Sequence, residues 1–208
     1  MPYTLAPHAS ASSVETRVKH SRFIAVLRRV QDAEAAQAFI REQRRAYSDA
    51  RHHCSAYIVG NGPSDRVERA NDDGEPGGTA GVPMLQVLKA RELVDVVVVV
   101  TRYFGGIKLG AGGLARAYSG ATAAAVDVAP LVRRELRYLY TLAVEHTEAG
   151  RVEAELRGHG VGVLETTYGE FAVLTLAAHD SAELAKLVAA ATSGTRTLDP
   201  AGEMWVDV

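Results

Sequence analysis

A chain of 208 residues with 47% hydrophobic and 23% charged content is an ordinary soluble composition, enough for one large or two small domains. No uninterrupted apolar run exceeds five residues, far short of the roughly 18 that span a bilayer, so no membrane helix and no membrane partner are expected. The single cysteine, Cys54, excludes an internal disulfide, and the opening MPYTLAPHAS lacks a basic n-region and an apolar h-region. Both features predict a cytoplasmic address.

The net charge of -2 hides an asymmetry. Through Arg134 there are 18 basic and 13 acidic residues; from Glu135 onward there are 5 and 12. A nucleic-acid surface, if the chain has one, belongs to the first part, because phosphate neutralisation by Lys and Arg supplies most of the non-specific affinity.

Apolar periodicity predicts strands over Arg22 to Val30 and His52 to Val59, with a helix from about Ala33 to Tyr47 between them that buries Ala36, Phe39, Ile40 and Tyr47. That helix leaves Arg41, Arg44 and Arg45 outward, followed by Arg51. A helix around Met84 to Leu93, a strand from Val94 to Phe104 and a helix from Leu114 to Val128 complete a first domain, 1–134. Ala129-Pro130 and Arg133-Arg134-Glu135 mark its end.

The remaining residues, 135–208, read as a second unit. Leu136 to Val144 alternates as a strand. Thr147 is expected to cap a helix burying Ala149, Val152 and Leu156, which Gly158 and Gly160 end. Val161 to Tyr168 and Phe171 to Ala178 read as a hairpin turning at Gly169-Glu170. Asp180 and Glu183 open a helix whose Leu184, Leu187, Val188 and Ala191 share a face, and Met204 to Val208 closes as a strand. The order βαββαβ is that of a ferredoxin-like sandwich, so the fold class is α+β.

Three constellations have chemical potential. In Asn71-Asp-Asp-Gly-Glu-Pro-Gly-Gly-Thr-Ala-Gly81, the carboxylates of Asp72, Asp73 and Glu75 suit a hard cation or acid–base work. An ordered turn, with Thr79 capping the helix ahead of Pro83, accounts for the same residues and is favoured. In His52-His53-Cys54, alternation puts two residues on one face and one on the other, which is too few for a zinc site; a Cys/His nucleophile pair is weaker than a buried, inert thiol. No metal and no cofactor are expected.

The third is RYFGGIKLGAGGLARAY, Arg102 to Tyr118. It joins a valine-rich strand to a helix whose free amides make an anion site, flanked by Arg102, Lys108 and Arg116. No Gly-Lys-Ser/Thr follows, so it is not a Walker A loop. Gly110-x-Gly112-x-x-Ala115 lies too far past the strand for a dinucleotide turn. Close packing of helix on strand is the competing use of Gly112, Gly113, Ala115 and Ala117, and the two uses are compatible.

NDDGEPGGTAG, VPMLQVL and VVVVVTRYFGGIKLGAGGLARAYSGA, with KHSRFIA and ARHHCSAYIVG ahead of them, resemble the IMPACT/YigZ family over nearly the whole chain. The resemblance implies a first domain like the second domain of a small-subunit ribosomal protein, with a crossover of unusual hand. It also implies a tail like ferredoxin-like domains of elongation factor G. Eukaryotic members regulate translation under stress, and bacterial members are suspected of binding nucleic acid or ribosomes.

The expectation is therefore a translation-associated binding protein that meets RNA or the ribosome through its basic first domain. Arg102, Tyr103, Gly105, Gly106, Lys108, Gly110, Gly112, Gly113, Arg116 and Tyr118 form the binding stretch. Arg44, Arg45 and Arg51 are flanks, and Asp72, Asp73, Glu75 and Thr79 are loop contributors. A protein partner is a further option, and no DNA sequence specificity is inferred. The alternative is a small enzyme acting on an anionic or phosphorylated substrate where the two stretches converge. The acidic tail is awkward for contact with RNA, because its charge repels phosphate.

Overall fold

The computed structural model describes residues 2–7, 9, 11–62 and 65–208. The chain divides into two compact units, Met1–Arg134 with Asp207–Val208, and Glu135–Val206.

The first unit contains β1 (Tyr3–Leu5), β2 (Ser12–Val18), β3 (Ser21–Arg29), α1 (Ala33–Ala46), β4 (His52–Val59), β5 (Val67–Asn71), α2 (Gly81–Ala90), β6 (Val96–Tyr103) and α3 (Ala111–Asp127). Its antiparallel sheet has the order β2-β3-β6-β4-β5. Three strands were not anticipated from the sequence: β1, β2 and β5. All three are short or have only half-buried faces, which leaves a weak alternation signal.

The five consecutive valines lie on the central strand, and each is 0% exposed. Val96, Val98 and Val100 pack with Met84 and Leu88 of α2 and with Leu114 and Tyr118 of α3. Val97 and Val99 pack on the opposite face with Phe39 and Ile40 of α1. A strand covered on both faces reads as a continuous apolar run. Asp32 caps α1 by accepting the N–H of Ala35 at 2.7 Å.

The second unit follows β7 (Leu131–Val144), α4 (His146–Gly158), β8 (Gly162–Tyr168), β9 (Ala172–Ala178), α5 (Ser181–Ala191) and β10 (Asp199–Asp207). Its strands lie in the order β8-β9-β7-β10, with β7–β9 and β8–β9 antiparallel, the arrangement of a ferredoxin-like sandwich. Leu142 and Leu174 pack with Val152, Leu156, Leu184 and Val188 from the two helices. Asp180 caps α5 as the sequence predicts, accepting from Ala182 and Glu183. Thr147 does not cap α4: the cap position is Glu145, without a side-chain bond, and Thr147 falls inside the first turn. Among the described residues, no helix is long and apolar enough to cross a membrane.

Candidate functional site

Alternation along β6 puts Arg102 on the same side as Val96, Val98 and Val100, beneath α3. Arg102 is consequently 6% exposed, where a solvent-facing RNA contact was expected. Its Nη1 donates to Glu75 Oε1 at 2.6 Å, and the Tyr118 hydroxyl donates to the same oxygen at 2.7 Å. Phe23 and Phe104 lie on the guanidinium, 5.5 and 5.6 Å from the carbon to the ring centroids. Glu75 is 8% exposed, so both charges are withdrawn from water.

The loop before α2 is held by its own aspartates. Asp72 Oδ1 accepts the N–H groups of Ala80 and Gly81 at 2.9 and 2.8 Å, and Oδ2 accepts that of Gly78 at 2.8 Å. Burial pushes this carboxyl up most strongly, but the three backbone N–H bonds together outweigh it and hold it below its ordinary value. Asp72 thus caps α2 from outside the helix. Thr79, expected in that role, instead donates to the carbonyl of Pro76 at 2.6 Å. Asp73 accepts from the His53 N–H at 2.7 Å and pairs with Arg44. The carboxylates required as acid, base or cation ligands are engaged in these contacts.

Cys54 is buried, with its thiol donating to the Asp72 carbonyl at 3.0 Å. Burial, reinforced by the nearby carboxylates, pushes it up to about 12, so it stays a thiol at neutral pH. His52 Nδ1 and His53 Nε2 face the carbonyls of Asp73 and Tyr47. Among the described residues, no group of three or more His, Cys, Asp or Glu is placed to hold a metal.

Two glycines shape the stretch that follows β6. A Cβ on Gly105 would lie 2.1 Å from the carbonyl carbon of His20, so the loop seats directly on the β2–β3 turn. Gly110, at φ 72, is the N-cap of α3 and supplies no side-chain cap bond. Leu114 N closes the first turn on Gly110 O at 2.9 Å. The N–H groups of Ala111, Gly112 and Gly113 find no acceptor among the described residues.

The Asp72–Gly81 loop and the start of α3 do converge. Between them is a cleft of about 330 Å³, lined by Glu75, Pro76, Arg102, Leu109, Ala111 and Leu114 together with Arg51, His52, Phe104 and Lys108. A neighbouring hollow of about 300 Å³ shares Leu109 and is lined by Lys19, Gly113 and Arg116. Arg51, Lys108, Lys19 and Arg116 have no acidic partner among the described residues. Tyr103 turns to the other face and donates to Asp49 at 2.7 Å. Of the expected flanks, Arg51 joins the cleft. Arg44 instead lines a separate groove of about 440 Å³ with Arg41 and Arg69, and Arg45 lines neither.

Sequence reasoning missed Phe104, which is 55% exposed at the cleft, and Lys19. Phe104 follows a strand of valines and looks like one more core position. Lys19 lies on a turn between two strands, one of which was not recognised.

The Impact N-terminal domain model matches residues 19–126, and a domain of unknown function, DUF1949, matches residues 142–195. The chain belongs to the IMPACT family. It is 46% identical over 160 residues to the IMPACT family member YvyE of Bacillus subtilis, covering 77% of this chain and 73% of that one. It is 39% identical over 174 residues to YigZ of Escherichia coli, covering 83% and 84%. A crystal structure of a hypothetical protein at 36% identity superposes with a TM-score of 0.68, over 95% of this chain and 97% of its own. A structure of the two-domain translational regulator Yih1 is 27% identical over 55% of this chain and 46% of that one, with a TM-score of 0.38.

Proposed function

We propose that this IMPACT family member is a translation-linked regulator whose first unit binds single-stranded RNA, including RNA exposed on the ribosome. The observation that carries the reading is the pair of hollows meeting at Leu109. Four cations without acidic partners among the described residues, Lys19, Arg51, Lys108 and Arg116, line them, and the uncapped start of α3 opens there. Basic side chains neutralise backbone phosphates, while an exposed aromatic offers a face on which a base stacks. Phe104 supplies that face at the rim.

Titration of a short single-stranded RNA against the full-length protein over a salt series tests this. Each phosphate neutralised adds about -0.7 to the slope of log K against log salt. Replacing Lys19, Lys108 and Arg116 with alanine together is expected to flatten the slope by about 2, at roughly that contribution per contact. Phe104→Ala is expected to weaken binding about tenfold with the slope unchanged, because stacking on an aromatic is worth roughly 1–3 kcal/mol and carries no charge. Equal affinity and slope for the wild type and the triple variant would remove this face from consideration. Sedimentation of the same proteins with ribosomes extends the comparison to the assembled particle.

A further inference from the structure

The cleft between the Asp72–Gly81 loop and the start of α3 presents more donors than an internal RNA phosphate uses. At the head of α3, a helix of 17 residues, Ala111 lines the cleft and its N–H has no acceptor among the described residues; the N–H groups of Gly112 and Gly113 have none either, and Gly113 lines the neighbouring hollow. Arg102 lines the same cleft with a side chain only 6% exposed. Its Nη1 is committed to Glu75, but its Nε–H is buried with no partner among the described residues. In a guanidinium, Nε–H and one N–H of Nη2 lie parallel, the edge that takes two oxygens of a single anion. A buried donor left unmatched is costly and calls for a partner.

The charges point the same way. Arg102 and Glu75 cancel as a pair, leaving Lys108, Arg51 and the positive end of α3 to set the sign. A phosphate monoester brings three terminal oxygens and a charge of about -1.5 to -2. A carboxylate, with two oxygens and one charge, leaves donors unfilled.

We infer that the cleft receives a terminal phosphate monoester, at the end of an RNA strand or on a free nucleotide; this builds on the RNA reading of the same face. An internal phosphodiester carries a sugar on each side and stays at the rim. A singly esterified phosphate enters end-on, toward the amides of α3 and the Arg102 edge, while its nucleoside lies outward along Phe104. That ring sits 5.6 Å from the guanidinium carbon and is 55% exposed. A volume of about 330 Å³ suits one nucleotide-sized group.

The test uses the full-length protein and one short RNA sequence in three forms: 5′-phosphorylated, 3′-phosphorylated, and hydroxyl at both ends. Adenosine monophosphate and inorganic phosphate serve as competitors. One phosphorylated form is expected to bind about tenfold more tightly than the hydroxyl form, the scale of one charge-assisted hydrogen bond. Adenosine monophosphate is expected to abolish that margin. Ala111→Pro deletes one free N–H at a first helical position, where proline is tolerated, and is expected to shrink the margin several-fold. Arg102→Lys, checked for retained folding, is expected to do the same. Equal binding of the three forms, or a margin untouched by Ala111→Pro, overturns the inference and leaves the RNA reading standing. Saturable adenosine monophosphate binding that Ala111→Pro weakens, without binding of any RNA, supports the phosphate site and removes the RNA reading.

Discussion

Arg102 and Glu75, 27 residues apart in sequence, form a buried ion pair at 2.6 Å that ties the loop before α2 to the central strand. Their side chains are 6% and 4% exposed, so each is the other's main compensation for lost water. Removing one partner of such a pair costs roughly 3–5 kcal/mol, whereas replacing both with apolar residues is often neutral. Glu75→Leu and Arg102→Met are each expected to lower stability by about 3 kcal/mol or more in chemical denaturation, and the double variant to recover most of that loss. Additive losses would show that the two charges do not depend on each other.

That pair shows how far the sequence could be read. Alternation along Val96 to Val100 already assigns Arg102 a face, and the alternation is visible in the letters. Which face would be covered depends on where α3 lands, and no local pattern encodes that. The two motif stretches and the capping residue Asp180 were legible because their signals span a few residues. Asp72 as the cap of α2 was not, because it reaches over eight and nine residues to Ala80 and Gly81. The exposure of Phe104 was hidden for the same reason: composition makes it core, and only the loop turning at Gly105 leaves it at the rim.

Gly105 and its neighbour Gly106 should respond differently to the same substitution. A Cβ at Gly105 would meet the backbone of His20 and Ser21 at 2.1 to 2.4 Å, and neither segment can yield without moving the β2–β3 turn. At Gly106 nothing lies within 4 Å, and the only obstacle is φ 86. Gly106→Ala is expected to cost about 1–2 kcal/mol, the strain of a left-handed residue. Gly105→Ala is expected to cost clearly more, with loss of the cleft. Thermal melts of both variants give the comparison, and equal melting temperatures would contradict the close approach at Gly105.

Cys54 should be chemically silent in the folded protein. Burial is the main cause that pushes its thiol up to about 12. At pH 8 a free cysteine, with an ordinary value of about 8.5, is substantially thiolate, and this one is not. Alkylation by iodoacetamide at pH 8 is expected to be slower in native protein than in urea by at least two orders of magnitude, following the thiolate fraction and access. The linkage has a definite sign: because the folded value is raised, the stability it contributes is complete below about pH 8.5 and declines as the pH climbs toward 12. Cys54→Ala should therefore lose less stability than wild type between pH 9 and 11. Rapid native alkylation would mean that the thiol is neither buried nor raised.

Asp207 anchors the end of the chain within the first unit. Its carboxylate takes Arg29 Nη1 and Nη2 at 2.6 and 3.1 Å and Arg134 Nη1 at 2.6 Å. Burial is the largest single influence and raises this carboxyl, yet the hydrogen bonds from Arg29 and Arg134 prevail and hold it below its ordinary value. A depressed folded value means that the pairing stabilises the protein fully above the unfolded carboxyl's titration, near pH 4, and that the gain is lost as the pH falls through the lower folded value. Asp207→Asn keeps the shape and removes the charge. Wild type is expected to exceed the variant in stability at pH 7 by about 1–3 kcal/mol, the range for hydrogen bonds to charged groups, with the difference shrinking below about pH 4. Denaturation curves at pH 7, 5, 4 and 3 measure it. If the difference stays constant across that range, the ion pairs of Asp207 contribute nothing to folding, and the anchor lies in the backbone bonds between Arg133 and Val208.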